Sequence, residues 1–278
     1  MKNLLLSFVL ASCTLVFAQV QTPEPSPAAT VAQTIGLTEA SVVYSRPSVR
    51  GREVMGNLVP YGKIWRTGAN KNTTIQFSDP VKVGGQTLAA GTYAIFTRPG
   101  VSLWEVFFYT DTENSGIPGE WTADKVAATV EVEPQKSGMV ESFSIWFSNL
   151  TNNDAVLNLA WETTRLSMKI EVPTVKKAMA SIKKTLAKDP KHRDYYSAAV
   201  YYLNEGQDLQ QAKKWINKAI SMNDEPYWYF RQQSLILAGL NETAAAIEAA
   251  EKSLERAIKA GNEDYIKLNT DSIAEWSK

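Results

Sequence analysis

The stretch VESFSIWFS at residues 140–148 places Phe143, Ile145 and Phe147 on one side of an extended backbone and serines on the other. A period of two over this length predicts a strand with one buried face. Similar alternation recurs at residues 126–132, 155–161 and 166–172. The middle of the chain is therefore predicted to consist of strands.

Turn residues separate these strands. The pair Gly84-Gly85 predicts a two-residue hairpin turn. Pro99-Gly100 and Asn152-Asn153-Asp154 mark two further connections. Roughly nine or ten short strands between residues 30 and 172, with no helical period among them, predict an all-β antiparallel sandwich or jelly-roll-like domain.

Beyond Pro173 the hydrophobic period becomes helical and a repeat begins. Ala178, Ala212 and Ala246 are spaced 34 positions apart. That spacing resembles the period of tetratricopeptide repeats and predicts an all-α, tetratricopeptide-like helical domain at residues 174–278. We expect a half repeat at residues 174–188, full repeats near residues 193–226 and 227–260, and a closing helix from about Glu263 to Trp276.

Two roles are open for these repeats. Stacked helix pairs usually present a concave face to peptides or partner domains, which favours a protein partner. An array this short is close to the minimum for independent stability, which favours a cap on the β domain instead.

The N-terminus has the pattern of a targeting segment. Lys2 precedes an apolar run of about fifteen residues, Leu4 to Ala18, which is too short to span a bilayer and typical of a secretory signal. Small residues at Val16 and Ala18 predict a signal peptide at residues 1–18, cleaved before Gln19. The alternative is lipidation of Cys13 in the sequence LASC. Either route predicts a periplasmic or cell-surface protein without a transmembrane span in the mature chain.

A proline-rich tether is predicted at residues 19–29. Pro23, Pro25 and Pro27 alternate with other residues there, and this spacing favours a stiff polyproline II conformation. The predicted β-sandwich domain therefore begins at residue 30 and ends at residue 172.

Composition excludes several function classes. The 278 residues carry 29 Lys plus Arg and 29 Asp plus Glu, so no global basic field favours a nucleic acid partner. Cys13 and His192 are the only cysteine and histidine, which leaves no pair for a disulfide, a Cys/His zinc site or a Cys-His dyad. We expect no metal and no cofactor. An enzyme would depend on carboxylates, Lys, Tyr or Arg.

One segment departs from the strand pattern. Residues 45–72 read SRPSVRGREVMGNLVPYGKIWRTGANKN, and we call them the basic loop. The loop contains Glu53 as its one acidic residue and six cationic ones, Arg46, Arg50, Arg52, Lys63, Arg66 and Lys71. The rest of residues 20–173 contains six Lys or Arg and fourteen Asp or Glu. Cationic side chains are thus segregated into one loop of an acidic domain.

This segregation predicts a site for a small anionic ligand. Guanidinium groups bind carboxylate, sulfate or phosphate through a planar fork, and glycine-rich turns add backbone donors. The candidate ligand-binding residues are Arg46, Arg52, Lys63, Trp65, Arg66 and Asn70. The alternative is that the arginines form ordinary ion pairs with acidic strands of the same domain, through Glu131, Glu133, Glu141 and Asp154.

The same region resembles a known family. The run YSRPSVRGREVMGNLVPYGKIWRTGANKNTTIQFS at residues 44–78, followed by GGQTLAAGTYAIF at residues 84–96, resembles the signature of the exported bacterial family catalogued as domain of unknown function 2911. The resemblance covers about residues 28–172. It implies export and marks the basic loop as the most characteristic stretch, but it brings no activity, substrate or catalytic residue with it.

Together these observations predict an exported, non-catalytic binding or adaptor protein. Its basic loop would bind a small anionic ligand, and its helical repeats would engage a protein partner. Two alternatives stay open: a carboxylate-dependent hydrolase acting on carbohydrate, and a purely structural envelope protein.

Overall fold

A computed structural model describes residues 22–278. The predicted signal peptide, Cys13 and residues 19–21 of the predicted tether lie outside the described residues. The chain divides after Val172 into two compact units, a β unit and a helical unit.

In the β unit, residues 22–172 form ten strands in two antiparallel sheets. In chain order the strands are β1 (Ala28–Ile35), β2 (Thr38–Ser45), β3 (Thr74–Phe77), β4 (Val81–Val83), β5 (Gln86–Leu88), β6 (Gly91–Arg98), β7 (Trp104–Tyr109), β8 (Val126–Val132), β9 (Gln135–Ser148) and β10 (Asp154–Glu171). The six-stranded sheet has the order β1-β2-β3-β6-β7-β8, and the four-stranded sheet has the order β5-β4-β10-β9. A short 3-10 helix, Ala123–Lys125, precedes β8.

Both sheets contribute to one buried core. Val106 and Phe108 of the six-stranded sheet and Leu157, Leu159 and Leu166 of the four-stranded sheet are fully or almost fully buried in the same cluster. Alternation along each strand directs such side chains to one face. The sheets therefore pack face to face, which confirms the predicted antiparallel β domain.

Turn chemistry matches the prediction at Gly84-Gly85. The two glycines have φ of +54° and +85° and form a two-residue connection between β4 and β5. Positive φ at both central positions is the condition that a type I′ hairpin turn imposes, and glycine meets it without steric cost.

The first and last long strands differ from expectation in their bounds. The first strand begins at Ala28, so the last two residues of the predicted tether pair with Ser45 and Tyr44 of β2. Residues 155–161 and 166–172, predicted as two strands, lie mostly within the single strand β10. Glu162 interrupts that strand with φ of +55°, where the pairing register with β9 shifts. A β-bulge therefore takes the place of the predicted break.

The helical unit consists of six helices: α1 (Thr174–Leu186), α2 (His192–Asn204), α3 (Leu209–Met222), α4 (Tyr227–Gly239), α5 (Thr243–Ala260) and α6 (Glu263–Trp276). Successive helices pack on one another, α2 on α3, α4 on α5, and α5 on α6. Helix α5 begins 34 positions after α3, at Thr243 and Leu209. Ala178, Ala212 and Ala246 are all buried. The predicted helical architecture is confirmed.

Side-chain caps help to define where these helices begin. Asp208 Oδ1 accepts from the backbone N–H of Gln211 at the start of α3, and Asn262 Oδ1 accepts likewise from Tyr265 at the start of α6. Gly261, in the left-handed region at φ +65°, ends α5.

Within residues 22–278, no helix is both long and apolar enough to cross a membrane.

Candidate functional site

The basic loop is anchored to the β unit by backbone hydrogen bonds. The Val49 N–H donates to Glu141 O at 2.8 Å, and Trp65 exchanges two backbone bonds with Thr97 at 2.7 and 3.0 Å. The bulged Glu162 accepts from the N–H groups of Val54 and Met55 at 3.3 and 3.2 Å. The loop is therefore an ordered part of the fold although it contains no long strand.

A cleft of about 480 Å³ opens along this loop. Three arginines line it, Arg50, Arg52 and Arg66. The other lining residues come from the loop, from β10 and from the N-terminal segment: Pro25, Ser26, Pro47, Ser48, Leu58, Val59, Trp65, Gly68, Ala69, Asn70 and Trp161. Among these described lining residues there is no aspartate or glutamate. The cleft is consequently cationic.

Each cleft arginine contacts neutral carbonyl oxygens. Arg52 donates to Val49 O at 3.0 Å and to Ser48 O at 2.6 Å. Arg66 Nη1 donates to Asn70 O at 3.2 Å, and Arg50 Nη2 donates to Pro25 O at 3.1 Å. A carbonyl oxygen orients a guanidinium but leaves its charge in place. The three arginines therefore keep both their positive charge and some of their five N–H donors.

Two of the predicted ligand-binding residues lie elsewhere. Arg46 does not line the cleft; it donates to Phe143 O at 3.0 Å and to Ser144 Oγ at 2.7 Å, which ties the loop to β9. Lys63 is exposed and also lies outside the lining. Four predicted residues do line the cleft, namely Arg52, Trp65, Arg66 and Asn70. Arg50 lines it as well and is not among the predicted ligand-binding residues.

The predicted internal ion pairs are not present. Asp154 pairs with Lys169 at 3.1 Å, and Glu141 accepts from the Arg50 backbone N–H, not from its guanidinium. Across the part of the chain that the structure describes, none of the six cationic side chains of the basic loop forms an ion pair with a carboxylate. The charge of the loop is thus not neutralised by its own domain.

Two tryptophans, Trp65 and Trp161, also line the cleft. Trp65 and Trp161 stack with ring centroids 5.6 Å apart and an interplanar angle of 18°, and Phe143 meets Trp65 edge-on at 5.4 Å. Trp161 is almost fully buried, and its indole N–H donates to Glu141 O at 3.3 Å. No signal in the sequence marks Trp161 as a cleft residue, because it occupies an ordinary inward position of an alternating strand.

The backbone at the cleft is strained. Thr67 has φ of +55°, which is an outlier for a β-branched residue, and Arg50 and Asn70 have φ of +50° and +59°. Burial and three hydrogen bonds hold Thr67: its hydroxyl bonds Trp65 O and Thr97 Oγ1, and its carbonyl accepts from the Thr73 hydroxyl. Strain of this kind is costly and tends to be retained at functional sites.

Gly116 leaves room for one of the arginines. A Cβ built on Gly116 would lie 3.4 Å from both Cζ and Nη1 of Arg66. A side chain at this position would therefore contact the guanidinium.

Among residues 22–278 no group of three or more His, Cys, Asp or Glu side chains is placed to hold a metal ion.

A family model described as "Protein of unknown function (DUF2911)" matches residues 26–170, which is just over half of the chain. The chain belongs to this family. The match to DUF2911 includes the basic loop and every residue that lines the cleft except Pro25, whereas the helical unit lies beyond it. Neither curated proteins nor solved structures give a significant match.

Proposed function

We propose that this DUF2911 protein is an exported, non-catalytic binding or adaptor protein that holds a small anion in the cleft of Arg50, Arg52 and Arg66. One observation carries the proposal: three guanidinium groups line a single cleft whose lining contains no Asp or Glu within the described residues. Cationic groups that share one cleft repel one another, and an anion between them relieves that repulsion.

The dimensions and walls of the cleft support a small ligand. A volume of about 480 Å³ lies within the usual range for small-molecule sites. Trp65 adds an apolar surface next to the cationic groups. A carboxylate-dependent hydrolase would place Asp or Glu beside its substrate, and no such residue supports that alternative in the described lining.

The remaining parts of the proposal concern export and partners. The apolar run before Gln19 supports export to the periplasm or the cell surface, with cleavage after Ala18. The stacked helices of the helical unit support engagement of a protein partner, as helical repeats commonly provide.

A thermal-shift screen tests the ligand site. The chain from Gln19 onward is melted with sulfate, phosphate, acetate and glucuronate, because a ligand that binds only the folded state stabilises it by RT ln(1 + [L]/Kd). We expect at least one anion to raise Tm, and Arg66→Ala to abolish that rise. The matched control is Lys63→Ala, which removes the same charge from the same loop outside the cleft. Equal loss in both variants, or no shift with any anion, would contradict the proposal.

A second pair of variants tests the placement of Arg66. Gly116→Ala should weaken anion binding because its Cβ would contact the guanidinium and because φ of +94° is strained for alanine. Gly119→Ala in the same connection meets open space and should leave binding unchanged. Equal affinities in the two variants would show that Gly116 has no part in positioning Arg66.

A further inference from the structure

The N-terminal segment before β1 forms one wall of the cleft. Pro25 and Ser26 are lining residues, and the Arg46 N–H donates to Pro27 O at 2.9 Å, which fixes the segment where it enters the sheet. We call residues 24–27 the strap. The proline spacing predicts that the strap is part of a tether. In the structure, Pro25 and Ser26 of the strap line the cleft.

The polar atoms of the strap lie on donors that face the cleft. Asn70 Nδ2 donates to Glu24 Oε2 and to Ser26 O, each at 3.0 Å. Arg50 Nη2 donates to Pro25 O at 3.1 Å. The carboxylate of Glu24, an exposed residue of the protein itself, thus occupies a donor that faces the cleft.

Asn70 is held in position for this contact. Its backbone is left-handed, at φ +59°, a conformation that asparagine tolerates better than most residues. Its backbone carbonyl accepts from Arg66 Nη1 at 3.2 Å, and both residues line the cleft. A carboxylate on Asn70 Nδ2 therefore lies at the cleft that the Arg66 guanidinium also lines.

We propose that the anion bound in this cleft is a carboxylate, and that it takes the place of the Glu24 carboxylate on Asn70. The inference rests on the proposed anion-binding function and names its ligand class and two specificity-determining residues. Glu24 already shows that a carboxylate fits this donor, and an exposed contact of this kind is weak enough to be displaced. Glu24 then lowers affinity in two ways: it competes for Asn70, and it repels other anions.

A double-mutant cycle separates these two effects. Isothermal titration measures binding of glucuronate, glucose and inorganic phosphate to the wild-type chain from Gln19 onward, to Glu24→Ala, to Asn70→Gly and to the double variant. Glycine is chosen at position 70 because it keeps the left-handed backbone without strain. Glu133→Ala, which removes an exposed carboxylate outside the lining, is the control for net charge.

We expect Glu24→Ala to tighten glucuronate binding about fivefold in the wild-type background, an effect in the range of exposed polar contacts. In the Asn70→Gly background the same change should give less than a twofold gain, since no amide is left to release. Glucuronate should bind more tightly than phosphate, glucose should not bind, and Glu133→Ala should match the wild type.

Three results would overturn the inference. An equal gain from Glu24→Ala in both backgrounds would mean that Glu24 acts only through its charge. Tighter binding of phosphate than of glucuronate would assign the site to another anion. If anions bind and depend on Arg66 while neither Glu24 nor Asn70 matters, this inference fails and the proposed function stands. If no anion binds any variant, the proposed function itself fails.

Discussion

The helical unit and the basic loop differ in how far their cationic side chains are paired with carboxylates. On the helices, ion pairs join Lys213 to Glu242 and Arg256 to Asp224, and three further pairs follow the i,i+4 spacing of a helix surface. In the basic loop none of the six cationic side chains meets a carboxylate within residues 22–278. Several cations of the helical unit are thus paired with carboxylates, whereas those of the loop stay available to a ligand.

Whether an arginine is available to a ligand depends on which group accepts its hydrogen bonds. Arg231 of α4 is nearly buried and donates to Ser272 Oγ at 2.9 Å, and its burial lowers its pKa. Arg46 likewise donates to Phe143 O and Ser144 Oγ between the loop and β9. Both connect two elements of the fold. Arg66 instead bonds a carbonyl of its own loop and lines a cleft.

The largest effect should come from the strained part of the loop. Gly68 has φ of +140°, and a Cβ there would lie 2.9 Å from Thr73 Oγ1 and 3.1 Å from Ser45 O. Gly68→Ala should therefore lower the free energy of unfolding by about 3 kcal/mol through backbone strain and steric overlap. Differential scanning calorimetry measures the loss as a fall in Tm.

The control for Gly68 is another glycine of the loop. Gly51 also has positive φ, +69°, but a Cβ there meets no atom within 4 Å. Gly51→Ala should cost only about 1 kcal/mol, the backbone penalty alone. Equal losses in the two variants would mean that the close packing around Gly68 does not matter.

Arg46 and Arg66 should differ in kind. Arg46→Ala removes two hydrogen bonds from a half-buried guanidinium, and we expect a loss of about 2 kcal/mol in the free energy of unfolding. Arg66→Ala should change stability by less than about 0.5 kcal/mol, since its one observed bond is exposed, and should remove anion binding. Denaturant unfolding and titration of the same two proteins make the comparison. A large loss of stability in Arg66→Ala would assign that residue to the fold.

The helical unit should respond to alkaline pH through Tyr196. Burial, with smaller effects of Tyr265 and Tyr229, raises the pKa of Tyr196 to about 12. A raised folded-state pKa gives stability that is full below pH 10 and is lost as pH rises toward 12. The contribution of Tyr196 should fall by about 1 kcal/mol between pH 9 and pH 11. Urea unfolding followed by the helix signal should show a smaller fall in Tyr196→Phe, and an unchanged fall would contradict this.

Local sequence patterns predicted most strands and helices of the fold. The residues at which they begin and end depend on pairing with other strands, which those patterns do not show. Alternation at residues 140–148 predicted the core of β9, and the spacing of Ala178, Ala212 and Ala246 predicted the helical repeats. Glu162 shows what a pattern misses. A bulge adds a residue and reverses the phase of alternation, so one bent strand has the sequence pattern of two.

The sequence predicted where the candidate site lies better than it predicted which residues form the site. Local charge marked the basic loop, yet Arg46 and Arg66 are equivalent as residues of a sequence. Their roles separate only because Arg46 faces β9 while Arg66 faces Gly116 and the cleft. The part of Glu24 in the site depends on the path of the strap beside Asn70. No local pattern encodes a contact between residues 46 positions apart.

The smallest effect should come from the helical charges. Glu255 accepts from Lys259 at 2.6 Å, and the hydrogen bond with Lys259 lowers the pKa of Glu255, but both side chains are about two-thirds exposed. Water and salt screen such a pair, so Glu255→Gln should leave the free energy of unfolding nearly unchanged, and any small loss should shrink further at high salt. Denaturant unfolding at low and high ionic strength tests this.

The same ion pair should depend on pH. The depressed pKa of Glu255 means that the stabilisation from the pair exists above about pH 4.3 and disappears as pH falls through the folded-state pKa. A loss comparable to that of Arg46→Ala would mean that paired surface charges support this fold as strongly as buried ones, and the contrast between the two regions would not hold.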